Sequence, residues 1–206
     1  MSDRISPQLV LGLLVSGRGS NLQAILDAIR GGDLPARVGV VLSNKRGAPA
    51  LSLAESALFV DPGEYANRSE YDAQLARLLQ QHGVDLVVLA GYMRLVTSAL
   101  ISAYPNRMIN IHPSLLPAFP GLHAQRQALS YGVKVSGCTV HFVDEAMDHG
   151  PIIAQATVPV LSGDTEESLS ARILREEHLL LPRVIALYAA GRLKVEGRSV
   201  LISEPS

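Results

Sequence analysis

The sequence is poor in cysteine and in aromatic residues. Its 206 residues include one cysteine, three phenylalanines and no tryptophan. The lone cysteine, Cys138, excludes an internal disulfide framework, and without a CxxC pair there is no cysteine-based zinc site. Such sparse cysteine usage is typical of a reducing compartment, so we expect a cytoplasmic location.

Long apolar runs and runs of one charge are also missing. The 18 basic and 19 acidic side chains leave a net charge of -1, so we expect no nucleic-acid partner. No apolar run reaches membrane-spanning length, and Asp3 and Arg4 ahead of a run broken at Ser16 do not form a signal peptide. We expect a soluble single domain, residues 1–206, that binds small molecules and is a monomer or homodimer.

The pattern of apolar residues predicts the secondary structure. Continuous apolar runs are typical of buried strands, and in the first half of the chain they alternate with segments of helical spacing. The predicted strands span residues 9–15, 38–42, 58–60, 84–90, 107–111, 135–143 and 152–160. The predicted helices span residues 20–29, 49–56, about 69–81, 122–130 and about 165–190, and a short hairpin is expected within residues 192–206.

The order of these elements predicts the fold class. Buried strands separated by helices imply a parallel sheet covered on both faces, whereas strands 135–143 and 152–160 have no helix between them and can pair antiparallel. Asp164 and Glu167 provide a capping pattern for the last helix. We predict an α/β protein with a mostly parallel, doubly wound, Rossmann-like sheet, helices on both faces and an antiparallel strand in the C-terminal half.

A glycine-rich turn follows the first strand. Gly17 and Gly19 match the first two glycines of a dinucleotide fingerprint, but Leu22 stands at the third position, and no Lys-Ser/Thr pair follows as in a P-loop. A strand that ends in glycines and opens a helix at Ser20 and Asn21 presents free backbone N–H groups, which favour a phosphate. The alternative is a tight turn with an N-cap serine.

The second strand is followed by Asn44, Lys45 and Arg46. This segment lacks the acidic residue that typically binds the ribose of NAD, and it suits an anion instead. An NADP-dependent oxidoreductase that uses Arg46 for the extra phosphate is therefore an alternative function from another class. The third interpretation is a solvated basic loop.

Three polar side chains provide the parts of an acyl-transfer site. Asn110 and His112 are two residues apart at the end of a predicted strand, so they project from the same face, and Asp148 lies in the turn between the two later strands. An amide, an imidazole and a carboxylate can stabilise an oxyanion and move a proton. His141 could join His112 and Asp148 around a metal ion, but no ligand spacing supports this and we predict no metal. The role of His141, structural or functional, stays open.

The last helix contains a carboxylate within its apolar stripe. Leu169, Ile173, Leu181 and Ile185 are spaced for one face, and Glu177 occupies the gap in that series. A buried charge needs a partner, so Glu177 either faces a cavity and binds hydroxyls or an amine, or lies in solvent where the stripe drifts.

Several segments together carry a family resemblance. They are SGRGSNLQAI, VLSNK, VDLVVLAGYMRL, NIHPSLLPAFPGLHA, VHFV, DHGPII and the EEH of the last helix. The chain resembles the formyltetrahydrofolate-dependent formyltransferases, and among them those that formylate glycinamide ribonucleotide in purine biosynthesis. Other members of the family carry additional domains, for which 206 residues leave no room. A formyltetrahydrofolate hydrolase or another folate-dependent formyltransferase is the alternative.

The resemblance implies a reaction and a role for individual residues. The formyl group of 10-formyltetrahydrofolate, a cosubstrate, would pass to the amine through a tetrahedral intermediate stabilised by Asn110 and His112, with Asp148 assisting proton transfer and no tightly bound cofactor. The implied ribonucleotide ligands are Gly17, Gly19, Ser20, Asn21 and Glu177. The implied folate ligands are Arg68, Met93, Arg94, Leu95, Val96, Asn110 and Met147.

The same resemblance divides the chain and marks two departures. The ribonucleotide-phosphate half covers roughly residues 1–100, and the folate and catalytic half covers roughly residues 84–206.

Leu174 stands where relatives can have a polar residue, and His149 replaces a glycine beside Asp148. Both departures concern local contacts.

Overall fold

The computed structural model describes residues 8–204, which contain one nine-stranded sheet flanked by five α-helices. The strands are β1 (Leu9–Val15), β2 (Ala36–Ser43), β3 (Ala57–Phe59), β4 (Leu86–Leu89), β5 (Met108–His112), β6 (Val135–Phe142), β7 (Ile152–Pro159), β8 (Leu193–Glu196) and β9 (Ser199–Ile202). The helices are α1 (Ser20–Gly31), α2 (Arg68–Gln81), α3 (Ser98–Ile101), α4 (Ala124–Tyr131) and α5 (Glu166–Ala189). Asp3 and Arg4, on which the signal-peptide prediction rests, lie outside the described residues.

The strand order is β3-β2-β1-β4-β5-β6-β7-β9-β8. Strands β1 to β5 pair in parallel, while β6 is antiparallel to both β5 and β7. The predicted fold class is confirmed, and the C-terminal half contains a further antiparallel pair in the β8–β9 hairpin. Because β1 lies between β2 and β4, the sheet grows in opposite directions from it, and ligands of open α/β sheets bind at such a switch point.

Each face of the sheet packs against its own set of helices. Alternate residues of β1 contribute to two apolar clusters, with Leu13 in the cluster that includes α1, α4 and α5 and Leu14 in the cluster that includes α2 and α3. Both leucines are fully buried. A strand apolar on both faces is expected where helices cover both sides of the sheet.

Several element boundaries differ from the prediction. Residues 49–56 form only a short 3-10 helix, Pro49–Leu53, and α3 was not predicted because four residues give too little periodicity. The cap of α5 is Thr165, which exchanges hydrogen bonds with Ser168, so the predicted Asp164 and Glu167 cap is wrong.

The start of α1 also differs in detail, because its N-cap is Gly19 in the left-handed conformation (φ 83°) and Ser20 is the first helical residue. Helix α4 begins two residues later than predicted. Within residues 8–204, no helix has both the length and the apolar character needed to cross a bilayer.

Candidate active site

A cleft of about 750 Å³ lies at the carboxyl ends of β4 and β5. Asn110 and His112 enter it from the end of β5, and Asp148 enters it from the β6–β7 turn, residues 143–151. All three predicted catalytic side chains therefore meet in one cavity. The position agrees with the general rule that ligands of open α/β sheets bind outside the carboxyl ends of the strands.

Both ring nitrogens of buried His112 face oxygen atoms. Its Nε2 lies 2.9 Å from the carbonyl oxygen of Phe119, and its Nδ1 lies 3.3 Å from Oδ2 of Asp148. Phe119 adopts a left-handed backbone conformation (φ 54°), which is uncommon for a residue with a side chain. Carbonyl and carboxylate oxygens can only accept, so the Nε2 contact requires a proton on that nitrogen, and the Nδ1 contact with the carboxylate becomes an ion pair when the ring is an imidazolium.

The Asp148 carboxylate accepts from several directions. The backbone N–H of Gly121 donates to Oδ2 at 2.7 Å, and the Asn110 amide lies 3.4 Å from Oδ1. Asp148 itself has φ 51°, and a side chain on Gly150 would collide with the backbone of Phe142. A tight turn that only glycine permits at that position therefore directs the carboxylate toward His112.

Half-buried Asn110 and buried His141 form a polar pair on neighbouring strands. Nδ1 of His141 lies 2.8 Å from the carbonyl oxygen of Phe142, so this nitrogen carries the proton. The other ring nitrogen, Nε2, then accepts from the Asn110 amide at 3.1 Å. Burial lowers the pKa of His141 below its ordinary value of 6.5, which keeps the ring neutral and Nε2 free to accept. The ring of His141 is thus placed to orient the Asn110 amide.

The predicted folate residues separate into two groups. Met93, Arg94, Leu95, Val96 and Met147 all line the cleft. Met93 and Met147 leave 60% and 53% of their surface exposed, which places two large apolar side chains at the wall of an open cavity. Arg68 does not line the cleft and lies exposed at the first position of α2.

The predicted ribonucleotide residues meet at the start of α1. Among the described residues no side chain caps this helix, so its first N–H groups are available beside the loop of residues 17–19, which we term the ribonucleotide loop. The Asn21 amide donates to buried Glu177 at 2.8 Å, and its Oδ1 is buried without a partner. Burial raises the pKa of Glu177. Leu174, half-buried, lies three residues earlier on α5.

The geometry also bears on the NADP and metal interpretations of the sequence. Arg46, the candidate for an NADP phosphate, stacks over the ring of Phe59 at 4.6 Å. Across residues 8–204 no group of three or more histidine, cysteine or acidic side chains is arranged to hold a metal ion. Cys138 is buried on β6, and burial raises the pKa of its thiol to about 12.

Other contacts of the site were absent from the sequence interpretation. They involve the carbonyl of Phe119, the N–H of Gly121 and the hydroxyl of Ser16, which accepts from the backbone of Met93 at 2.8 Å. The Pro-Gly pair at residues 120–121 signals a turn, but nothing in the sequence indicates that this turn folds over His112.

His149, which replaces a glycine beside Asp148, has contacts of its own. Nδ1 of His149 lies 3.0 Å from the Asp144 carboxylate, and Arg198, in the β8–β9 turn, donates to the His149 carbonyl at 2.7 Å. The C-terminal hairpin therefore contacts the turn that carries the Asp148 carboxylate.

A parallel α/β sheet that gathers an amide, an imidazole and a carboxylate in one cleft is suited to the transfer of a small acyl group. Residues 11–185 match the formyl transferase family. The protein belongs to this family.

Similarity to individual proteins is high. Phosphoribosylglycinamide formyltransferase of Escherichia coli K12 is 44% identical over 187 residues, which cover 89% of this chain and 88% of that protein. The structure of glycinamide ribonucleotide transformylase 1 from Symbiobacterium toebii is 56% identical, with a TM-score of 0.97 and 99% of both chains covered. The trifunctional purine biosynthetic protein adenosine-3 of Drosophila melanogaster is 48% identical over 88% of this chain, which spans only 14% of that protein's length.

Proposed function

We propose that this protein transfers the formyl group of 10-formyltetrahydrofolate to the amine of glycinamide ribonucleotide in purine biosynthesis. The observation that carries the proposal is the convergence of Asn110, His112 and Asp148 in one cleft, lined on another side by residues 93–96. Family membership and the names of the relatives support the same reaction.

The amide of Asn110 is proposed to hold the negative oxygen of the tetrahedral intermediate. Its 3.1 Å bond to His141 fixes the amide plane, whereas the 3.4 Å contact with Asp148 is near the limit of a hydrogen bond. The second amide proton is therefore held only weakly by Asp148 and is available to the formyl oxygen. A preorganised donor of this kind contributes about 3 kcal/mol to transition-state stabilisation.

His112 and Asp148 are proposed to work as one unit. The imidazolium adds a positive charge beside the developing oxyanion, and the carboxylate stabilises that charge. The attacking amine must lose a proton and the departing folate nitrogen must gain one, so Asp148, at the cleft wall, assists this transfer. The reaction needs no covalent enzyme intermediate, because the enzyme's main task is to bring two bound molecules together.

The ribonucleotide is proposed to bind between the start of α1 and the middle of α5, where Glu177 lies. Its phosphate would lie against the free N–H groups of the ribonucleotide loop and Ser20. Its ribose hydroxyls would donate to Glu177 and to the unpartnered Oδ1 of Asn21. A buried acceptor without a donor is uncommon in a folded protein, and a ligand hydroxyl would satisfy it.

One assay separates this proposal from the hydrolase alternative. The protein is mixed with 10-formyltetrahydrofolate in the presence and in the absence of glycinamide ribonucleotide, and tetrahydrofolate release is measured by absorbance. We expect release only with the amine, together with formation of the formylated ribonucleotide. Equal release without the amine would identify a hydrolase, and no release in either mixture would contradict both assignments.

A further inference from the structure

Ser16 occupies a central position between the two proposed substrate sites. It directly follows β1, the strand that lies between β2 and β4, and it is only 4% exposed. Strand β2 leads into Asn44, and β4 leads into residues 93–96, which we term the folate segment. The next residue after Ser16 begins the ribonucleotide loop.

The hydroxyl of Ser16 connects the two neighbouring strand ends. It accepts from the backbone N–H of Met93 at 2.8 Å and donates to Oδ1 of Asn44 at 2.6 Å. A backbone N–H can only donate, so the serine oxygen is the acceptor there and its own proton points to Asn44. The N–H of Ser16 also donates to the carbonyl of Gly91 at 3.1 Å.

The far end of the folate segment is held independently. Oδ2 of Asp72, a buried residue of α2, accepts from the backbone N–H of Thr97 at 2.6 Å. The segment is therefore held at both ends by side chains from outside it. Of the two, only Ser16 is also joined, through one peptide bond, to the ribonucleotide loop.

We propose that Ser16 is a positioning residue that couples the two substrate sites, so that ribonucleotide bound at the loop favours folate binding at the segment. The proposal rests on the function proposed above. A ligand at either site limits the movement of the shared hydroxyl, so the second ligand orders less of the protein when it binds. Ser16 touches neither substrate in this scheme and acts through Met93.

Removal of the hydroxyl has a defined consequence. Ser16→Ala leaves the N–H of Met93 and the amide oxygen of Asn44 without their partner, and such half-buried groups are costly to leave unpaired. We expect the affinity for tetrahydrofolate to fall about tenfold. Because Ser16 does not contact the developing charge, KM for the folate should rise while kcat changes little.

A matched control is available at the end of the neighbouring strand. Ser43, the last residue of β2, is fully buried like Ser16, but its hydroxyl exchanges hydrogen bonds only with the backbone of Lys45. Ser43→Ala therefore removes a buried hydroxyl at a strand end without touching the folate segment. It should leave both ligand affinities close to those of the wild type.

Calorimetry with tetrahydrofolate and glycinamide ribonucleotide, each alone and with the other saturating, tests the proposal. We expect the ribonucleotide to tighten folate binding at least about fivefold in the wild type and in Ser43→Ala, and to have no such effect in Ser16→Ala. Absence of coupling in the wild type, or equal coupling in all three proteins, would overturn the proposal. If the wild type binds neither ligand, the proposed function fails as well, whereas normal turnover without coupling contradicts this inference alone.

Discussion

At the residue scale, the amide of Asn110 depends on His141 for its orientation. The neutral His141 ring accepts from the amide nitrogen at 3.1 Å, whereas Oδ1 of Asp148 lies 3.4 Å from the same nitrogen, so the bond to His141 is the stronger constraint. The pair joins adjacent antiparallel strands, since Asn110 is directly opposite His141 in the sheet. The sheet register thus determines the direction of the amide that is proposed to hold the oxyanion.

Replacement of Asn110 or His112, the two side chains proposed to stabilise the oxyanion, should reduce turnover without weakening binding. If Asn110 and His112 stabilise charge that develops only in the transition state, Asn110→Ala or His112→Ala should lower kcat about a hundredfold, with KM nearly unchanged. Steady-state kinetics measures both constants, and circular dichroism verifies the fold. Normal turnover in a folded His112→Ala protein would contradict the mechanism.

Asp148 should not act independently of His112. Asp148→Asn keeps the size of the side chain but removes the charge beside the imidazolium, so kcat should fall and its pH profile should change. A double variant with His112→Ala should lose clearly less than the product of the two single losses, because both residues share one task. Strictly multiplicative losses in a double-mutant cycle would show that the two side chains act separately.

His141 provides a pH prediction with a definite sign. Its pKa is lowered by burial, so the ring should titrate below 6.5, and its protonation removes the acceptor that orients Asn110. NMR of the His141 ring should give a midpoint below that value. His141→Gln, which retains an acceptor, should keep more activity than His141→Leu. A midpoint at or above 6.5 would contradict the expectation that burial keeps this ring neutral.

At the scale of elements, the two glycines of the ribonucleotide loop have different roles. Gly19 has φ 83°, and a Cβ there would lie 2.7 Å from the Cβ of Ala50, so the fold itself requires glycine. A Cβ on Gly17 would meet nothing within 4 Å. Only Gly17 therefore allows a test of ligand approach that leaves the packing intact.

Gly17→Ala should weaken ribonucleotide binding while the protein stays folded. The added methyl would prevent a phosphate from approaching the backbone N–H groups closely, whereas the affinity for tetrahydrofolate alone should not change. Calorimetry with each ligand measures the two effects. Gly47→Ala, where a Cβ is also unobstructed, serves as the control. Unchanged ribonucleotide affinity in Gly17→Ala would place the phosphate elsewhere.

The C-terminal hairpin should contribute to the Asp148 turn, although it lies beyond the residues matched by the family. Arg198→Ala removes the donor to the His149 carbonyl, so the turn should become more mobile and kcat should fall a few-fold, as expected for an exposed contact. Lys194→Ala is the control, because Lys194 pairs with Glu196 within the hairpin. Steady-state kinetics measures kcat, and hydrogen exchange of residues 144–150 measures the mobility of the turn. Equal values in the two variants would exclude a contribution of Arg198 to the turn.

At the scale of the whole molecule, the predictable features are those that depend on repeated patterns. The apolar run ending at Val15 is typical of a strand buried on both faces, and a spacing of two residues brings Asn110 and His112 to the same side. The contacts of Phe119 and Ser16 depend instead on a left-handed loop residue and on strand order. Neither property has a periodic signature in the sequence, so these contacts could be identified only in the structure.

Hydrogen bonds of Asp164 hold the start of α5, the helix that contains Glu177. The Asp164 carboxylate accepts from both terminal nitrogens of Arg172, at 2.8 and 2.9 Å, and from the backbone N–H of Leu161. These bonds hold the pKa of Asp164 well below its ordinary value of 3.8, with the Arg172 guanidinium as the main cause. The stabilisation is therefore complete above the unfolded-state pKa and disappears as the pH falls toward the folded-state value.

Asp164→Asn should consequently lower the melting temperature at neutral pH, and the difference from the wild type should shrink once the pH falls below 3.8. Thermal unfolding followed by circular dichroism across this range measures the difference. Asp27→Asn is the control, because its pair with Arg30 is exposed and long at 3.3 Å, and such pairs contribute little to stability. A difference for Asp164→Asn that stays constant with pH would mean that the neutral hydrogen bonds, and not the carboxylate charge, anchor this helix.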